Sequence, residues 1–188
     1  MANQEMNVEH RILLSARAEF AEHGLAGARV DRIAKGANSS KERLYAHFAD
    51  KVALFQAVLN LNGMEFFEAV SLSPADIPDF VGRVFDHSLS HPEHLRMMTW
   101  ARLEGFNFDL HSAVMESERA KSDSIREAQA AGLVDASWKP DELIPLLFGI
   151  GLAWTQAPGT TGSAEAPAVI AAHRAAAVEA SRRLIQSR

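Results

Sequence analysis

The sequence predicts an all-α protein, a small N-terminal helical module followed by a larger helical domain. Three observations carry this. Apolar residues recur at helical spacing through most of the chain, no strand-like alternation persists, and turn residues separate the periodic stretches. The chain has 188 residues, 47% hydrophobic and 23% charged, an ordinary composition for a protein with a full core. Cysteine is absent, so disulfides and thiolate metal sites are excluded.

The first helix is expected from about Asn7 to His23, with Val8, Ile12, Ala16 and Phe20 every four residues and Gly24 just past its end. Two short helices follow around a turn. Val30, Ile33 and Ala34 give the first an apolar face, and Asn38 suits the left-handed position that ends a helix. Ser39 or Ser40 can cap the second, whose inward residues are Leu44 and Phe48. Asp50 caps a helix running to about Val70, with Leu54, Val58 and Leu61 as one stripe and Phe55 and Leu59 as another. The turn-rich stretch from Ser71 to Pro78 is a break. Helices are then expected from about Asp79 to Ser90, Pro92 to Leu103 and Leu110 to Ala131, the last stopped by Gly132. Leu143 to Trp154 is apolar on nearly every side, which predicts a helix buried all round. A loop from Pro158 to Pro167 leads into an alanine-rich helix from Ala168.

The stretch from Val30 to Lys51 is the most informative. Its second helix has two inward residues and exposes Lys41, Arg43, Tyr45 and His47, all hydrogen-bond donors. A helix pair of this kind fits the major groove of DNA, and it equally describes a surface helix pair in an all-α protein. Residue identities add to the geometry. Ile33-Ala34, Ala37, Ser40-Lys41, Leu44-Tyr45, His47-Phe48 and Lys51 stand in the order and spacing of the tetracycline-repressor (TetR) family motif. Ala18-Glu19-Phe20-Ala21-Glu22-His23-Gly24-Leu25 resembles the end of that family's first helix. The resemblance spans about Val8 to Leu61. Two places depart from it: Ala28-Arg29 stand where the family usually has a capping Ser or Thr, and Asn38-Ser39 where it has Gly and an apolar residue.

The resemblance implies a DNA-binding domain at residues 7–67, with the motif at about 30–49, and an effector-binding and dimerisation domain at 68–188. It implies a homodimeric transcriptional regulator, a repressor released from a palindromic operator on double-stranded DNA by a small apolar effector. Arg29, Lys41, Tyr45, His47 and Lys51 are then expected at phosphates, with Ser40 at the helix start. Arg43 and Glu42 are the expected base readers, since Arg bonds guanine O6 and N7 and Glu accepts from cytosine N4. For Glu42 a fold-back pairing with a neighbouring side chain is the alternative. The family's pocket lies among the C-terminal helices, which makes Met97, Trp100, Phe106, Phe108, Met115, Phe148 and Trp154 candidate lining. Arg102 and Glu104 are candidates for orienting a polar group of the ligand. Such bulky residues serve equally well as plain core. The helices at about 140–156 and 167–186 are the expected dimer contact, or else a core hairpin within one chain; Gly151 lies in the first of them.

The net charge of −5 argues against DNA until its distribution is considered. From Arg29 to Lys51 six basic residues face three acidic ones, and short-range attraction outweighs the screened distant charge. His87, His91 and His94 have a spacing that suits a metal, but Pro92 interrupts it, and surface or helix-end histidines are expected, with no metal and no cofactor. No phosphate loop or nucleophile motif points to an enzyme. The longest apolar run is about half of the roughly 20 residues a membrane span needs, and Met1 to Glu5 lacks the order of a secretion signal. A cytoplasmic protein without membrane contact is expected. The competing class is an all-α ligand-binding protein or enzyme whose basic helix pair has another partner.

Overall fold

The structure is a computed structural model that describes residues 2–106, 112–156 and 166–186, with backbone alone at 2–7 and 112–115. Among the described residues it is all-α, in the order α1 (Ala2–Gly27), α2 (Val30–Gly36), α3 (Lys41–His47), α4 (Lys51–Ala69), α5 (Ile77–Ser90), α6 (Pro92–Leu103), α7 (Ser112–Ala130), α8 (Pro140–Gln156) and α9 (Pro167–Ile185). None of the described helices is long and apolar enough to cross a membrane. The chain forms two compact units, Met1–Glu65 with Pro92–Leu110 and Phe66–His91 with His111–Arg188. The first unit thus includes α6, which follows residue 67 in sequence.

The first unit is built on α1. Its four-residue stripe of Val8, Ile12, Ala16 and Phe20 is buried, and α2 and α3 add Ile33, Ala34 and Leu44 to the same core. Phe20 and Phe55 meet edge to face at 5.0 Å, and Phe106 lies 4.9 Å from Phe55. Rings so placed contribute about 0.5–1.5 kcal/mol beyond the area they bury. Met97 and Ala101 of α6 are fully buried here too, which is why α6 belongs to this unit. Buried Arg17 joins three helices: Nη2 donates to Glu65 of α4 at 2.9 Å, and Nη1 lies 2.9 Å from His94 Nε2 of α6.

The first helix does not end at Gly24. It bends there, at φ 65° and ψ −178°, and continues for one more turn to Gly27. Two facts require glycine at this bend. The backbone conformation is almost closed to other residues, and a Cβ would stand 2.7 Å from the Trp100 ring. The restarted turn is capped by Glu104, whose carboxylate accepts from Leu25 N–H at 3.0 Å and Ala26 N–H at 3.3 Å. Trp100 Nε1–H donates to the Ala21 carbonyl.

In the second unit, Asp76 caps α5 by accepting from Asp79 N–H at 3.2 Å. The amphipathic α5 buries Phe80, Val81, Val84 and Phe85 and packs against both α8 and α9. It is not the case that α8 is buried all round. Leu143, Ile144, Leu147 and Gly151 are buried, while Pro145, Leu146, Gly149 and Ala153 are exposed. Gly151 faces inward: a Cβ there would meet Val84 at 2.7 Å, whereas one at Gly149 would meet nothing. On α9, Ala177, Ser181 and Ile185 are buried, and Ala168, Val169, Ala172, Ala175 and Ala176 are exposed. Both helices thus carry small and apolar side chains on faces that this chain leaves uncovered.

The histidines stand at helix ends, one of the two placements expected, with His87 in the last turn of α5, His91 as its C-cap and His94 in the first turn of α6, but His87 and His94 are not at the surface. His87 is buried, its ring 5.1 Å from Phe66 and 4.6 Å from His91, and His94 is buried in the other unit.

Replacing Gly24 by Ala is expected to cost about 1–3 kcal/mol from the backbone alone, and more from displacement of Trp100. Urea unfolding of the variant measures it, and Gly27→Ala in the restarted turn serves as the comparison.

Candidate nucleic-acid interface

Both α2 and α3 have seven residues, too few to persist alone in water. What holds them comes from α1. Arg11, Ser15 and Glu19 follow one another at four-residue intervals beside the buried stripe. Ser15 Oγ donates to the Ile33 carbonyl at 2.9 Å and Arg11 Nε to the Ala37 carbonyl at 3.2 Å, satisfying acceptors at the end of α2. Gly36 permits this approach, since a Cβ there would lie 2.4 Å from Ser15 Oγ. At the other end of α2 the N-cap residue, Arg29, supplies no side-chain cap. Glu19 replaces it from a distance: its carboxylate accepts from Arg29 N–H at 2.8 Å and grips the Arg32 guanidinium at 2.6–2.9 Å.

The turn after α2 is a Schellman motif. Asn38 takes φ 51°, Ser39 N–H donates to the Ala34 carbonyl at 2.9 Å and Asn38 N–H to the Lys35 carbonyl at 3.1 Å. Asparagine tolerates this left-handed position better than most residues, so it does the work of the expected glycine. Ser40 then caps α3, accepting from Arg43 N–H at 3.2 Å. The Glu42 carboxyl folds back: hydrogen bonds from its own backbone N–H and then from the Ser40 hydroxyl hold it below the usual carboxylate range.

The expected DNA contacts divide into two groups. Arg29, Arg43 and Tyr45 are exposed, and among the described residues their side chains have no hydrogen-bond or ion-pair partner. The others are engaged within the module. Lys41 Nζ lies 2.7 Å from Asp31 Oδ1, and this hydrogen bond, with the charge behind it, raises the lysine's pKa. His47 Nδ1 is 4.0 Å from Glu9. Lys51, expected at a phosphate, is half-buried and donates to the Ala28 carbonyl at 3.2 Å and the Ala26 carbonyl at 3.4 Å, closing the end of α1. Among the described residues α3 buries only Leu44, and Arg43 and Tyr45, on either side of it in sequence, are exposed. Glu19, Arg11 and Ser15 lie outside the motif and escape a reading confined to it, and Asp31, within it, is not singled out. The signal for three of them was the polar stripe at 11, 15 and 19.

The candidate ligand residues are not brought together. Met97, Trp100, Glu104 and Phe106 serve the core and cap of the first unit, because α6 packs on α1; Arg102 is exposed in the last turn of α6. Phe148 and Trp154 lie in the second unit. Phe148 sits 5.2 Å from Phe80 and 5.8 Å from Phe66, and Trp154 stacks on His173 at 5.1 Å. Phe108 and the Met115 side chain lie outside the described residues. Buried Lys121 stands 4.0 Å from the Phe67 ring centre and donates to Ser117 Oγ at 2.8 Å. A groove of about 480 Å³ between α7 and α8 is lined by charged groups, Glu118, Arg119, Asp123, Arg126 and Asp141, together with Ser122, Ile144 and Pro145. It does not coincide with the expected apolar lining.

A seven-residue helix seated on a packed bundle with its polar side open, and a second helical unit on the same chain, are the arrangement of a helix-turn-helix regulator. The comparisons agree. Residues 12–58 match the model of bacterial regulatory proteins of the tetR family, and residues 76–183 that of the tetracyclin repressor-like C-terminal domain. The HTH-type transcriptional repressor SCO4008 of Streptomyces coelicolor is 38% identical over 140 residues, 73% of each chain. The structure of SCO4942, described as a transcriptional regulator from the same organism, has 40% identity and a TM-score of 0.81 over 94% of this chain and 97% of its own. A TetR-family protein of Mesorhizobium loti shares the fold, with 20% identity and a TM-score of 0.72 over 97% and 98% of the two chains. The chain belongs to the tetR family, and so is a ligand-responsive DNA-binding transcriptional regulator.

Burial by itself would raise the Glu19 pKa, but the Arg32 hydrogen bond, the Arg29 N–H and the nearby positive charge overcome it, and the net shift is downward. A depressed folded value means that Glu19 stabilises the fold fully above its unfolded value, about 4.3, and loses this as pH falls through the lower folded value. The stability gap between the native protein and Glu19→Gln is therefore expected to be constant near neutrality and to shrink on acidification below about pH 4. Unfolding curves across that range measure it.

Proposed function

We propose that the chain is a homodimeric repressor whose two first units read the halves of a palindromic operator on double-stranded DNA, and that a small effector bound in the second unit releases it. The observation that carries this is the open side of α3, where Arg43 and Tyr45 extend beyond a single buried anchor, Leu44. Arg43, in the first turn of α3, is the base reader, bonding guanine O6 and N7. Tyr45 and Arg29 hold phosphates and so fix the register. Ser40 and Glu42 shape the start of α3, and Lys51 positions the module by joining α4 to the end of α1. His47 lies at the edge of the same face, beside Glu9. The relative named a repressor supports the sign of regulation.

The dimer contact is assigned to the uncovered faces of α8 and α9, Leu146, Gly149 and Ala153 with Val169, Ala172 and Ala176. Helices bearing small side chains approach closely, and adjoining exposed apolar side chains on two packed helices suit an interaction site. A two-fold dimer of this type sets its reading helices about 34–36 Å apart, one turn of DNA. The effector is assigned to the aromatic side chains of the second unit around Phe148. Its binding would change operator affinity through a coupling of about 1–3 kcal/mol, the usual range for such regulators.

Arg43→Ala is expected to lower discrimination at one position of each half-site by about 1–3 kcal/mol while leaving the fold intact. Selection from a randomised duplex pool tests this, and an unchanged preferred sequence would remove Arg43 from the reading role. Gly149→Glu is expected to yield folded monomers in sedimentation, since it sets an unpaired charge in the contact. Gly151→Glu is expected to damage the fold, because position 151 faces α5. A stable dimer of Gly149→Glu would place the contact elsewhere.

A further inference from the structure

Three acidic residues lie within the basic stretch from Arg29 to Lys51, and two of them serve helix starts. Asp50 accepts from Ala53 N–H at 2.7 Å at the start of α4, and Glu42 turns back on Ser40 at the start of α3. Asp31 does something else. Its Oδ1 lies 2.7 Å from Lys41 Nζ, so a carboxylate in the first turn of α2 holds an ammonium in the first turn of α3. The partial positive charge at the N-terminus of α2 favours the ionised carboxylate. Both partners are fixed in one module, and their pairing therefore competes at high effective concentration with any outside anion.

Lys41 stands two residues before Arg43 on α3, exposed and paired with Asp31. A lysine ammonium is a point charge that supplies affinity for phosphate and little base information. We propose that Asp31 limits the module's overall affinity for DNA by withholding Lys41 from the DNA backbone, keeping binding to operator and unrelated duplexes alike below what the basic residues of the module would otherwise provide. The inference rests on the DNA-reading role assigned above. Each phosphate neutralised by a side chain adds about 0.9 to the slope of log K against log salt for duplex DNA. One lysine gained or withheld is therefore a measurable step. Base discrimination by Arg43 is untouched by it, because phosphate contacts act equally on all sequences.

The test compares the full-length native protein with Asp31→Asn, Lys41→Ala and the double variant. Affinity is measured by fluorescence anisotropy on a selected operator duplex and on an unrelated duplex of the same length, across about 50–200 mM salt. Asp31→Asn should steepen the slope by about 0.9 and tighten binding roughly eightfold at 0.1 M salt on both duplexes, the counterion-release value of one phosphate taken down from 1 M. The operator-to-unrelated ratio should not change. Both gains should vanish in the double variant, and Asp31→Glu, which retains a carboxylate for Lys41, should bind as the native protein does. An unchanged slope in Asp31→Asn, weaker binding by that variant, or the same gain without Lys41 would overturn the proposal while leaving the DNA-reading role intact. Failure of the native protein to bind either duplex at any salt would overturn both.

Discussion

The Glu19 carboxylate at the start of α2 is the contact on which the reading surface depends. Two seven-residue helices cannot repay the entropy of ordering their own backbones. Here both ends of α2 are fastened to one polar stripe on α1, Glu19 at the N–H end and Ser15 with Arg11 at the carbonyl end. With α2 fixed, the Schellman turn at Asn38 directs the chain into α3. The orientation of Arg43 and Tyr45 follows from that turn and from the single anchor at Leu44. A residue ten positions before Arg29 thus acts as the cap that local sequence does not provide.

The same polar groups decide which charges the module presents outward. A count of basic residues over this stretch overstates the charge offered to DNA. Lys41, Arg32 and Lys51 are each bound to carboxylate or carbonyl oxygens of the module. Arg29, Arg43 and Tyr45 remain exposed without such partners among the described residues. The acidic balance of the rest of the chain works in the same direction, within the short range that salt leaves to it.

The second unit follows a different constraint. Its α5 is packed against by both α8 and α9, with Gly151 allowing Val84 to approach and Arg174 of α9 gripping Asp86 at 2.9 Å. That packing uses one side of each of the last two helices. The remaining sides expose Leu146, Gly149 and Ala153 on α8 and Val169, Ala172 and Ala176 on α9. A helix that appears apolar all round in sequence is here half covered by its own chain.

Periodicity and turn chemistry determined the helices themselves. The four-residue stripe of α1, the turn at Asn38, the Ser40 cap and the break before α5 were all legible, because each depends on neighbours within a few residues. The motif of the reading helix was legible for the same reason. Tertiary structure decided the rest. Gly24 reads locally as a helix end, but Trp100 and Glu104 make it a bend. Met97, Trp100 and Phe106 read as pocket lining, and the return of α6 to α1 turns them into core. Lys41 and Lys51 read as open cations, and acceptors 10 and 23 residues away in sequence engage them. Sequence records what a residue can do next to its neighbours along the chain, whereas burial, ion pairing and the choice of an exposed face are set by groups that only the fold brings within bonding distance.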